Sequence, residues 1–306
     1  MMNHLPSPHP LDFDWRYDKV TSCRLSGLLA SYDTVLCLGT PSVARLLDEK
    51  DIDVTLVDRQ PFQNVRQHII QDISQFQPAK TYNVALLDPP WYPEAMRIWT
   101  TIAARCVGAG GTVFLSIWPP TTRPGAEREV EVLLNEFERW GEVERTVVPL
   151  QYDIPRFEIV AAALNNNALS RSPRLGELVR IDVRETPPQP TDFATNQDWI
   201  RFVFDDYQLA VRSSGAGGKA MVHSVAGATG WEWPYVSARA PNREEIDLWS
   251  SEGEVAKISG SEEIAQLLRL VGQSSNRVEF DRALSKLPEL KNWRIPRPPY
   301  RRFAEW

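Results

Sequence analysis

The chain has 306 residues, 42% hydrophobic and 24% charged, with 34 basic against 40 acidic side chains and a formal net charge of −6. Its 11 Trp and 24 Pro exclude a disordered or fibrous polypeptide, because disordered chains are poor in aromatics. The acidic balance argues against binding nucleic acid through overall charge alone. Three cysteines with no C-x-x-C pair and four scattered histidines give neither a disulfide framework nor a metal-ligand spacing, so no metal is expected. No apolar run reaches the ~18 residues of a membrane helix, and no apolar leader opens the chain. A cytoplasmic protein of one or two domains, without a membrane partner, is the expectation.

Residues 1–12, rich in Pro and His, read as a flexible arm. Val20, Cys23, Leu25, Leu28 and Leu29 recur at roughly helical spacing within 13–32. The run 34–38 (TVLCL) reads as a buried strand stopped by Gly39-Thr40-Pro41-Ser42, after which a helix restarts with Ser42 as N-cap. A second strand, 53–57, ends in Asp58, and a third, 82–87, ends in Asp88-Pro89-Pro90-Trp91-Tyr92-Pro93. A helix over 94–107, a strand over 112–117 and an amphipathic helix over 126–140 follow, the last with Val130, Leu133, Leu134 and Phe137 on one face. Runs 143–150 and 157–164 read as two more strands. They are too close in sequence for a parallel crossover, so they are expected as an antiparallel edge pair. The alternation predicts an α/β layer with a mostly parallel sheet covered on both faces.

Residues 165–175 read as a linker and 176–285 as a smaller α+β accessory domain. In that domain, strands are expected over 199–212, 219–225 and 233–239, with a hairpin turn at Gly215-Ala216-Gly217-Gly218 between the first two and a helix over 261–271 capped by Ser261. Trp231 and Trp233 suit either a stacking surface or core packing, and core packing is the plainer reading. Residues 286–306 carry six basic and two acidic side chains and read as a basic, partly extended tail. A partner protein or a second copy of the chain would find its surface in 176–306.

Ligands of open α/β sheets bind outside the carboxyl ends of the strands. Gly39-Thr40-Pro41-Ser42 offers a turn with little side-chain bulk before a helix N-terminus. Asp58 lies nineteen positions after Gly39, where a carboxylate can accept ribose hydroxyls. Asp72, in a polar stretch, is a candidate for an adenine amino group. Asp88-Pro89-Pro90-Trp91 is the more specific signal. Two prolines fix the backbone and remove two N–H donors, leaving the Asp88 carboxylate and the Pro89 carbonyl as convergent acceptors for the two hydrogens of a planar –NH2. Trp91 adds a flat face on which a base can stack.

Asp-Pro-Pro-aromatic after such a strand resembles the signature of amino-group methyltransferases that use S-adenosylmethionine. The closer resemblance is to the family named for N6-adenine and elongation-factor-1-alpha lysine methyltransferases. It covers about 13–164 and rests also on Phe13-Asp14-Trp15-Arg16-Tyr17, Cys37-Leu38-Gly39-Thr40-Pro41-Ser42, Asp58 and Arg156-Phe157-Glu158. It implies a Rossmann-like class I methyltransferase sheet with S-adenosylmethionine as cofactor. Gly39, Thr40, Pro41 and Ser42 would line the cofactor, Asp58 would hold its ribose, and Asp72 would be a further contact. Asp88, Pro89, Pro90 and Trp91 would carry the methyl transfer, with Trp15, Tyr17, Tyr92 and Phe157 around the substrate. The expected activity is methylation of an exocyclic amine, N6 of adenine in nucleic acid. The alternatives are a protein lysine acceptor, which suits the net charge of −6, or a non-catalytic module that keeps the fold and binds a nucleoside or a partner.

Overall fold

The structure, a computed structural model, describes residues 6–60, 62, 65–119, 122–166, 174–190, 199–213, 219–227 and 230–306. It divides into two compact units. One comprises Trp15–Asp153 and Ser172–Ala194, and the other Met1–Asp14, Ile154–Arg171 and Thr195–Trp306. Among the described residues no helix is long and apolar enough to cross a membrane.

The first unit is built on seven strands: β1 (Thr34–Leu38), β2 (Asp53–Asp58), β3 (Gln67–Ile70), β4 (Val84–Leu87), β5 (Thr112–Ile117), β6 (Gly141–Tyr152) and β7 (Arg174–Val183). They form one sheet in the order β3-β2-β1-β4-β5-β7-β6. Strands β1 to β5 pair in parallel, and β7 runs antiparallel to both β5 and β6. Among its described residues the helices are α1 (Lys19–Leu29), α2 (Pro41–Asp48), α3 (Pro93–Val107) and α4 (Ala126–Phe137). Strands β1, β4 and β5 have no polar-facing side: Leu36, Cys37, Leu38, Leu86, Leu87 and Leu115 are wholly buried. That accounts for their unbroken apolar runs, since a parallel sheet is covered on both faces. The unit is α/β and Rossmann-like. Chain direction across the sheet reverses between β1 and β4, the switch point where such folds bind ligands.

Several elements differ from the sequence reading. The run 157–164 is not a strand but the helix α5 (Arg156–Leu164), in the other unit. Three alanines in sequence favour helix, Pro155 caps it with extended backbone, and Phe157, Val160 and Ala161 make one buried face. The antiparallel edge pair exists, but the partner of β6 is β7, drawn from the expected linker and accessory domain. Thr40, not Ser42, holds the N-cap position of α2, because Pro41 takes the first helical place. Strand β3 went unforeseen: its residues are mostly exposed and carry no alternation. Of the expected linker, 167–173 lie outside the described residues.

The second unit holds a six-stranded sheet of β8 (Trp199–Phe204), β9 (Tyr207–Arg212), β10 (Met221–His223), β11 (Leu248–Ser250), β12 (Val255–Ser259) and β13 (Phe303–Glu305). Its order is β10-β12-β11-β9-β8-β13. The expected single strand 199–212 is a hairpin. Asp205, at φ 59°, and Asp206 form its turn, and the Asp205 carboxylate accepts from the Arg301 and Arg302 amides. The turn expected at Gly215–Gly218 lies outside the described residues, and β10 pairs with β12 instead of β9. Residues 233–239 form no strand. Helices α6 (Ser261–Gly272, with Gly260 at the N-cap position) and α7 (Arg277–Leu284) pack in a core with Phe202, Phe204, Leu209 and Leu248. Trp233 sits instead in a second cluster with Trp249 and Val255, whereas Trp231 packs against the first, 6.3 Å from Trp293.

Neither terminus of the described chain is loose. The expected basic tail contributes Leu287, Leu290, Trp293 and Ile295 to the core and ends in β13, paired with β8. Residues 1–5 of the expected arm lie outside the described residues, but His9 is fully buried. Its Nδ1 accepts from the Leu11 amide, so Nε2 carries the proton and donates to the Trp249 carbonyl at 3.4 Å. Burial, reinforced by Arg201, holds its basicity well below the ordinary range. Asp12 pairs with the buried Arg201 at 2.7 Å.

Candidate functional site

Strand β1 ends where the backbone turns at Gly39. Its N–H donates to the Val57 carbonyl at 3.0 Å, extending the β1–β2 ladder by one step. Its φ of +66° is left-handed, and a Cβ there would lie 2.8 Å from the Trp99 ring of α3. Glycine is therefore required twice over, by backbone and by packing. Thr40 is 2% exposed, and its buried hydroxyl oxygen lacks a hydrogen-bond partner of good geometry. The neighbouring Cys37 thiol is pushed up to about 12 by burial, against a smaller lowering from Thr40. The Pro41 ring opens α2 and Ser42 follows.

Asp58 ends β2 on the strand beside Gly39. Its Oδ1 accepts from the Gln60 amide at 2.8 Å, which holds the carboxylate at the strand tip. Asp72 does other work. Its Oδ1 accepts from the Ser74 amide and hydroxyl, capping a short 3-10 turn, and its Oδ2 pairs with Arg59. Burial would raise this carboxyl, but Arg59 and Ser74 outweigh it and hold it below the usual range. Both oxygens thus have local partners, and Asp72 caps the turn that follows β3.

Asp88 follows β4 across the switch point, and its amide donates to the Leu38 carbonyl at 3.3 Å. The two turns therefore touch: a Cβ on Gly39 would lie 3.6 Å from the Asp88 carbonyl oxygen. The Tyr152 hydroxyl donates to Asp88 Oδ1 at 2.9 Å. Tyr17, whose ring is 5.0 Å from Tyr152, pairs its hydroxyl with Ser116. Burial, with the Asp88 charge adding to it, holds both phenols well above their ordinary range, so both remain neutral. The segment before α1 is pinned there by backbone. Asp18 donates to the Gln151 carbonyl and Asp153 to that of Arg16, each at 2.9 Å, around a bridge between Tyr17 and Tyr152.

Pro89 is buried and Pro90 half-buried. The Tyr92 amide folds back on the Pro90 carbonyl at 2.7 Å, and Pro93 opens α3. Trp91 stands edge-on to Tyr152, with centroids 5.7 Å apart at 87°. The Arg174 guanidinium lies 3.7 Å from the centre of the Trp15 ring and 5.1 Å from that of Trp91.

A cleft of about 180 Å³ joins Gly39, Thr40, Pro41 and Ser42 to Asp88, with Trp15, Arg16 and Tyr17 on its other wall. Asp58, Asp72, Trp91 and Tyr92 do not line it. Phe157 belongs to the other unit, on α5 and 2% exposed. Tyr152, Ser116, Trp99 and Arg174 were not found from the sequence. No short motif marks them, and each reaches the site only through the pairing of β5, β6 and β7 or the packing of α3.

No family model and no curated protein sequence matches the chain. Solved structures do match in shape. The N-methyltransferase NodS from Bradyrhizobium japonicum WM9, in complex with S-adenosyl-L-homocysteine, is 16% identical over 54% of this chain and 85% of its own, with a TM-score of 0.35. The T. thermophilus 16S rRNA N2 G1207 methyltransferase RsmC, in complex with AdoMet and guanosine, is 14% identical over 74% of this chain and 55% of its own, with a TM-score of 0.37. The glycopeptide N-methyltransferase MtfA is 14% identical over 55% of this chain and 91% of its own, with a TM-score of 0.35. At these values the likenesses carry no argument about what this chain acts on. The fold rests on its own strand order, and the chemistry on the residues around the cleft.

Proposed function

We propose that the α/β unit is an S-adenosylmethionine-dependent methyltransferase acting on an exocyclic amine, N6 of adenine in nucleic acid. The observation that carries this reading is the meeting of the Gly39 and Asp88 turns in one cleft at the switch point. The residues suit the cofactor. Gly39 offers bare backbone, the buried Thr40 hydroxyl lines the cleft beside the Cys37 thiol, and Asp58 holds a carboxylate on the neighbouring strand tip for ribose hydroxyls. When bound, the cofactor supplies an electrophilic sulfonium methyl group.

The chain's own contribution is placement. Asp88 and the Pro89 carbonyl accept the two N–H bonds of the acceptor amine, which aims the nitrogen lone pair and draws it out of conjugation with the ring. Tyr152 fixes the rotamer of Asp88 through its hydrogen bond. Trp91 offers a stacking face beside Tyr152, and Trp15 and Tyr17 wall the cleft against water. Alignment of this kind supplies much of the acceleration for a transfer that needs little acid–base help.

A lysine acceptor is the second reading. The observation in its favour is that Trp15 and Trp91 already hold a cation, the Arg174 guanidinium. Tritiated S-adenosylmethionine incubated with the protein and cell extract tests both. Label in nuclease-sensitive material, lost with Asp88→Ala, is the expected outcome. Label in protease-sensitive material alone selects lysine. Cofactor binding with no transfer to either selects a binding module, and no cofactor binding at all overturns the methyltransferase reading.

A further inference from the structure

We infer that Trp15 and Trp91 form the stacking slot for the acceptor's planar ring, and that the Arg174 guanidinium fills this slot until the acceptor displaces it. This rests on the methyltransferase reading above. Arg174 is the first residue of β7, far in sequence from both tryptophans, and its guanidinium lies 3.7 Å from the Trp15 ring centre and 5.1 Å from that of Trp91. The shorter distance is that of one flat group lying on another. Trp15 lines the cleft, while Trp91 follows the Asp88-Pro89-Pro90 turn and is held edge-on by Tyr152, whose hydroxyl holds Asp88. The slot is thus continuous with the groups that would grip the amine.

A guanidinium on an indole and a base on an indole gain comparable stabilisation, so the exchange is reversible. While Arg174 occupies the slot, the apparent affinity for the acceptor is reduced by the fraction of molecules in which the slot is vacated. Arg174 is on this argument a specificity-setting residue. It admits groups that stack well enough to replace it and turns away those that do not.

Adenosine titrated calorimetrically into protein saturated with S-adenosylhomocysteine tests this, because the saturating ligand blocks the cofactor's own nucleoside site. Arg174→Ala is expected to bind adenosine about tenfold tighter than the wild type, with affinity for S-adenosylhomocysteine unchanged, and the gain is expected to vanish on adding Trp91→Ala. Equal or weaker adenosine binding by Arg174→Ala overturns the inference, as does a gain that survives the loss of Trp91. Arg174→Gln, which keeps chain length and removes the charge, serves if the alanine variant does not fold. A wild type that fails to bind S-adenosylhomocysteine sinks the methyltransferase reading and this inference with it. A wild type that binds it, with no gain in either Arg174 variant, sinks this inference alone.

Discussion

Gly39 is the residue at which backbone and side-chain demands coincide. Its left-handed φ and the 2.8 Å approach of the Trp99 ring give Gly39→Ala two separable costs: about 1–2 kcal/mol for a left-handed Cβ and about 1–3 kcal/mol for the collision. Chemical denaturation should show their sum. Trp99→Leu in the same chain should recover the collision share only, giving a non-zero coupling in the double-mutant cycle. Asp88 tests the chemistry. Asp88→Ala is expected to lower methyl transfer by about 10² or more, on the scale of losing a preorganised polar contact to the reacting group. Tyr152→Phe, which leaves the carboxylate in place but unheld, should cost less. Equal losses for the two variants, measured as kcat at saturating cofactor, would show that the position of Asp88 matters more than its charge. The Asp88 turn was legible in the sequence because its four residues are contiguous and two prolines leave its backbone little freedom. Tyr152, Arg174 and Trp99 were not, since nothing in their neighbours says which strand or turn they will face.

Among the elements, β7 most altered the sequence reading. It lies between β5 and β6, with Leu178, Val179 and Ile181 wholly buried, yet follows a stretch with every mark of a linker. Its inner residues do alternate with polar ones, but that pattern does not reveal which sheet a strand will join. A fragment ending at residue 164, the boundary the sequence suggests, would leave β5 with an open apolar edge and β6 without its partner. Such a fragment is expected to be insoluble or to show no cooperative melt, and a fragment with a native-like melt would show that β7 is dispensable. Helix α5 shows the converse difficulty. Its run of apolar residues suits a short buried strand or a buried helix equally by periodicity, and alanine content decides for the helix.

For the molecule as a whole, the pH dependence of stability should carry one legible contribution from the second unit. Glu254 is 3% exposed, and burial raises its carboxyl above the ordinary 4.5, against hydrogen bonds from Tyr207, Ser250 and the Arg294 amide. The folded protein therefore keeps this proton to a higher pH than the unfolded chain. The contribution is fully present below about pH 4.5, declines as pH rises through the folded value and then levels off. Glu254→Gln should flatten that decline in urea midpoints measured from pH 4.5 to 7, and an unchanged slope would show that the carboxyl titrates alike in both states. The course of the chain was not legible in the sequence: it passes between the two units four times, and composition shifts mark only one of those passages. That course sets an order of assembly during synthesis. Residues 7–12 leave the ribosome ahead of Asp206, Gln208, Arg243 and Trp249, which hold them and which emerge more than 190 residues later. At ~5–20 residues per second, this segment waits on the order of ten seconds or more for its berth, so it is made well before it can be folded.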